Sequence, residues 1–162
     1  MPADTLQEQV VKYLTDVHSL EAHAIDQLKS GADSSTDPLL TAALREHLSE
    51  TEQQERQVRA RLEALDASPS TVKDLAQRGW AAATGLVANA APDTTGKIAI
   101  NAYMFEHLEI ASYRSLRAVA EHAGDTETAQ LAERIAAEEQ AAAGKLSGML
   151  EQVAVSSVPQ AA

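Results

Sequence analysis

The chain has 162 residues, the length of one domain, with 24 Asp and Glu against 13 Lys and Arg and a formal net charge of −11. Thirty-two alanines and only five aromatics speak against an all-β fold, and the absence of cysteine excludes disulfides, thiolate metal sites and a cysteine nucleophile. The acidic surplus argues against nucleic acid and anionic membranes, and no apolar stretch approaches the ~18 residues of a span, so a soluble, cytoplasmic, all-α protein is expected.

The first segment, MPADTLQEQVVKYL, lacks the basic and apolar regions of a secretory signal. It opens an amphipathic helix over residues 4–30, with Val10, Leu14, Val17, Ala24, Ile25 and Leu28 on one face. Asp4 is the expected N-cap and Gly31 the expected residue just past the helix end, followed by a turn-rich GADSSTD. The second helix starts at Asp37, with Pro38 in the favoured first position, and runs to about residue 65. Leu40, Leu44, Leu48, Val58, Leu62 and Leu65 form its stripe, and Pro69 is the expected stop.

A connection of about thirty residues follows, too long for a hairpin loop, and it carries its own short amphipathic piece over residues 71–89. Trp80, Leu86 and Val87, with the alanines at 81–83, are expected to cover one end of the bundle or to form a dimer contact. The third helix covers residues 97–122, with Ile98, Ala102, Phe105, Leu116 and Val119 on one face, before Gly124 and Asp125 break the chain. The fourth runs over residues 126–154 through Leu131, Ile135, Ala142, Leu146 and Met149, and residues 156–162 read as a disordered tail. Short loop, long crossover, short loop is the ferritin-like four-helix arrangement, expected here as one domain over residues 1–155. The halves also show a gapless match of LREHLSETEQ (44–53) with LAERIAAEEQ (131–140), as an ancestral duplication would leave.

The informative residues are acids that interrupt apolar stripes. At 100° per residue, Glu21 projects within about 20° of the Val10 and Leu28 directions. Glu109 lies about 20° from the Ile98–Leu116 line and Glu106 about 80°, while His107 points toward solvent. On the fourth helix Glu138 falls about 20° from the Leu131–Met149 line and Glu139 about 80°. On the second, Thr51 and Glu55 fall within the stripe, His47 and Gln54 near its edge, and Glu50 well off its centre. Buried carboxylates need partners, and the arginines of these helices map mostly to outer faces. Divalent cations are the standard compensation, and oxygen-rich donors suit iron, manganese and, less well, zinc. Ferritin-like di-metal sites take one Glu from each of two helices and Glu-x-x-His from each of the others. Here Glu50 is followed at i+3 by Gln53 and Glu139 by Ala142, so neither expected His is present; His47-x-x-Glu50 offers an imidazole only in the reverse order.

The segments YLTDVHSLEAHAIDQL, EHLSETEQQ and FEHLEIASY, with LAERIAAEEQAAAGKL near the end, resemble the YciE/YciF-type ferritin-like proteins, a bacterial stress-associated family, across about residues 5–150. The resemblance implies a bundle, often a homodimer, with a di-iron site. Glu21, Glu50, Glu106 and Glu109 fall on motif positions, as do Gln54 and Glu139. One departure stands out: Ala143 replaces an Asp four residues beyond Glu139. Two functions follow as expectations. One is a metal-binding protein holding two iron ions (or manganese or zinc), acting as an oxidoreductase on Fe(II), oxygen or peroxide through Glu21, Glu50, Glu106, Glu109, Glu139, Gln54 and Glu138. The other is a non-enzymatic stress or interaction module with a degenerate, unfilled site. No Gly-x-Ser-x-Gly or glycine-rich phosphate loop supports hydrolase chemistry.

Overall fold

The computed structural model describes residues 3–67 and 94–159, which form five helices and, among the described residues, no strand. They are α1 (Ala3–Ser34), α2 (Pro38–Ala64), α3 (Thr95–Ala123), α4 (Thr126–Ser147) and α5 (Leu150–Ser156). The amphipathic piece expected over 71–89, its Trp80, Leu86 and Val87, and Pro69 lie outside the described residues, as do the last three residues of the expected tail.

Local chemistry sets the helix ends. Asp37 caps α2 by accepting from the Leu39 and Leu40 N–H groups, both at 2.9 Å, with Pro38 at the first helical position. The helix stops at Asp66, which takes a left-handed φ of 52° while the Ala67 N–H returns to the Leu62 carbonyl. Thr94 caps α3, and Gly124 (φ 76°) ends it where a side chain would be strained. Asp125 then caps α4 through the Thr128 N–H.

Asp4, the expected N-cap, lies inside α1, which opens at Ala3, and two later boundaries also differ from the sequence expectation. Gly31 lies inside α1, which continues to Ser34 and shortens the connection to residues 35–37. A Cβ there would meet the Ile98 side chain at 3.0 Å and Leu44 at 3.4 Å, so the glycine serves close packing rather than chain reversal. The fourth helix is not continuous to residue 154. It breaks at Gly148–Met149, and α5 folds onto α3, where Val153 is buried and the Ala154 backbone comes within 3.0 Å of a Cβ built on Gly96.

Contacts along the helices give the topology. α1 packs antiparallel to α2 and α3 packs antiparallel to α4. Thr36 bonds Thr95 at one end of the bundle, while Arg61 bonds Asp125 at the other, so α2 and α3 run the same way. The buried apolar residues fall into two clusters. One centres on Leu20, Leu28, Leu40, Leu44, Ile98 and Phe105, the other on Val10, Leu14, Val58, Tyr113, Leu116 and Ile135. Between them, at mid-length, lies a layer of polar side chains.

Candidate metal centre

Each long helix contributes to this layer from its buried face. α1 supplies Glu21; α2 supplies His47, Thr51 and Gln54; α3 supplies Glu106, Glu109 and Tyr113; α4 supplies Glu139. The steps within α2 and α3 are three or four residues, so these groups stack on one side of their helices. The four acids are at most 2% exposed. His47 Nε2 lies 3.0 Å from Glu106 Oε2 and 3.3 Å from Glu139 Oε2, and its Nδ1 lies 3.1 Å from Glu50 Oε2. The Tyr113 hydroxyl donates to Glu21 Oε1, and Thr51 donates to the His47 carbonyl at 2.9 Å.

Most of these groups have no ordinary partner. Glu21 Oε2, Glu106 Oε2, Gln54 Oε1 and both carboxylate oxygens of Glu109 and Glu139 are buried without a hydrogen bond. His47 Nε2 is close to two carboxylates yet aligned with neither as a hydrogen bond. Arg59, Arg61 and Arg117 pair with Glu55, Asp125, Glu127, Glu121 and Glu133 rather than with the buried acids. Such a cluster in an apolar bundle is expensive, because an isolated buried carboxylate is strongly disfavoured.

The electrostatics follow. Burial pushes Glu21 well above the usual carboxylate range; the Tyr113 hydrogen bond opposes this, and the Glu139 charge adds to it. Burial also pushes Glu109 well up, with Glu21, Glu139 and Glu106 acting in the same direction. Glu106 is raised by burial to about 7, its contact with His47 holding it back. Burial disfavours charge on His47, but Glu106 and Glu139 outweigh it and raise the imidazole to about 11. Tyr113 is pushed up by burial and by Glu21. Burial therefore favours the protonated form of Glu21, Glu106 and Glu109.

The donors present fit a metal ion. His47, Glu106, Glu109 and Glu139 each offer a ligand atom, all within 4.8 Å of one another. Ligands at ~2.1 Å from a shared ion sit about 3.0–3.4 Å apart, the spacing of His47 Nε2 from its two carboxylates. One imidazole with three carboxylates is a hard, oxygen-rich set.

Of the seven residues expected from the sequence, the structure brings Glu106, Glu109 and Glu139 into one cluster, with Glu21 beside them. Glu50 is half exposed and touches the cluster only through His47. Glu138 is exposed and accepts from Gln54 Nε2 at 2.9 Å, while Gln54 itself is buried. The positions of Glu138 and Glu139 are thus the reverse of the helical-wheel reading. The Leu131–Met149 line runs past the break at Gly148, and the buried face of α4 is marked instead by Ala132, Ala136 and Ala143. His47, read as an edge residue, is 6% exposed and central. Its signal was in the sequence as the histidine one turn before Glu50. The 44–53 match with 131–140 pairs solvent-facing Glu52 with buried Glu139, so those positions are not structural equivalents.

The topology and this buried polar layer define a ferritin-like bundle with a His/Glu group able to hold a metal ion. The chain belongs to the family described as a domain of unknown function (DUF892), which matches residues 5–158, and the YciF-like resemblance read from the sequence is borne out. A protein from Xanthomonas campestris is 31% identical, with 94% of each chain covered and a TM-score of 0.77. The Escherichia coli stress protein YciF is 23% identical over 92% of this chain and 96% of its own, with a TM-score of 0.73. Dps from Thermosynechococcus elongatus shares the fold at 20% identity, with 93% and 95% covered and a TM-score of 0.76.

Proposed function

We propose that the polar layer is a di-iron centre and that the protein reacts Fe(II) with oxygen or peroxide. The observation that carries this reading is the set of buried, unpartnered ligand atoms drawn from four helices. His47, Glu106, Glu109 and Glu139 would hold one ion, and Glu21, whose Oε2 is unpartnered, extends the donor set toward a second. Bound iron would supply the electron transfer, and manganese is redox-active in the same way, whereas zinc would fill the same donors without that chemistry.

The chain's own residues perform the rest. The acids neutralise the ions and release protons as they do so. Tyr113 fixes the orientation of Glu21, and Glu50 on Nδ1 fixes the imidazole ring of His47. The two apolar clusters keep bulk water away from both ends of the layer. A stress role is supported by the likeness to a stress protein, and the homodimer and cytoplasmic setting implied by the family belong to the same reading. Light scattering at micromolar concentration reads the dimer.

The test of reactivity is single-turnover oxidation of Fe(II) loaded without oxygen. The intact protein should oxidise it faster than buffer does, and Glu109→Ala should lose that advantage. Equal rates for protein and buffer would leave the non-enzymatic module, which Ala143 favours by removing a donor.

A further inference from the structure

A cavity of about 230 Å³ opens between α2 and α4, several times the ~30 Å³ that a water molecule occupies in the liquid. His47 lines it, and so do the alanines Ala141 and Ala142, whose short side chains keep the α4 wall low. Its charged lining is Glu46, Glu50 and Glu138 against Lys145 and the protonated His47. Lys145 pairs with Glu46, and Glu138 is bonded only to the neutral amide of Gln54, so the net field of the groove favours a cation.

His47 is the link between this groove and the interior. Its Nδ1 meets the half-exposed Glu50, while its Nε2 lies against Glu106 and Glu139 and has no aligned hydrogen bond. His47 therefore touches both the cavity and two of the almost wholly buried acids. We propose that the α2–α4 groove is the route by which a divalent cation reaches the buried acids, with Glu50 and Glu138 as outer contacts and His47 as the residue it passes. The route rests on the metal-centre reading above and adds a path and a class of cargo to it. Clefts lined by one sign of charge raise the association rate of an oppositely charged ligand by about 10- to 1,000-fold, an effect that salt weakens.

The experiment is stopped-flow uptake of Co(II) by the full chain, with equilibrium stoichiometry measured separately. Ala141→Phe narrows the groove from an exposed position without touching a ligand, and Glu138→Gln removes charge at nearly constant shape. Ala141→Phe should slow uptake by about tenfold or more, and Glu138→Gln should slow it severalfold and flatten its salt dependence. Both should bind as much Co(II) at equilibrium as the parent chain. Parental uptake rates in both variants, at parental stoichiometry, would overturn the route and leave the metal centre standing. No Co(II) bound by the parent chain at equilibrium would overturn the metal centre and the route with it.

Discussion

Among the described residues Tyr113 is the largest fully buried side chain, and its hydroxyl holds one oxygen of Glu21 while the other has no partner. Removing that hydroxyl leaves a second buried acceptor unsatisfied, at a cost of about 1–3 kcal/mol. Tyr113→Phe should therefore lower the urea stability of the metal-free protein by that amount, and a value near zero would show that Glu21 finds another donor. Glu106 bears on pH. Its carboxyl is raised from 4.5 to about 7, so between those values the folded chain binds more protons than the unfolded one. That stability is complete below the unfolded value and is lost as pH rises through about 7. His47, raised from 6.5 to about 11, acts with the same sign over the range above. The metal-free protein should lose stability between about pH 5 and about pH 8, and Glu106→Gln should lose less; identical slopes would contradict the assignment. The acids on α1 and α3 were legible in the sequence because bulky neighbours mark those faces. Glu139 and His47 were harder to place, since alanine marks a buried face only weakly and a polar side chain beside leucines reads as an edge.

At the scale of elements, Asp37–Pro38 and Gly124–Asp125 were readable because they act through local backbone chemistry, whereas the Thr94 cap, two residues before the expected start of α3, was not read. The misplaced boundaries at Gly31 and Gly148 depend on contacts distant in sequence. Gly31 is a packing glycine because Leu44 and Ile98 approach it, and the chain turns at Gly148 so that α5 can cover Gly96. α4 also carries Ala143, where the resemblance implied an Asp. Ala143 is buried one turn beyond Glu139 on the same face, where a carboxylate would join the donors. Ala143→Asp should lower the melting temperature of the metal-free chain, because it buries another acid, and raise its affinity for Fe(II) or Mn(II). Unchanged affinity together with the loss of stability would show that this turn of α4 faces away from the ion.

At the scale of the described bundle, the polar layer divides the core into two apolar halves and concentrates the unpartnered polar atoms between them. Two bound divalent ions would cut the formal charge from −11 to about −7, at the position where that reduction matters most. Most of the 24 acids face solvent and behave as solubilising charge; the buried few give the composition its functional meaning. A ligand at 100 times its dissociation constant stabilises the folded state by about 2.7 kcal/mol, so metal loading should raise the melting temperature and a chelator should reverse it. The most direct measurement is an oxygen-free Fe(II) titration of the intact chain beside Glu106→Ala and Glu139→Ala, read as ions bound per chain. Uptake approaching two ions by the intact chain, reduced in both variants, is the predicted result. No stoichiometric uptake, or equal uptake by all three, would contradict the buried His/Glu layer as the metal centre.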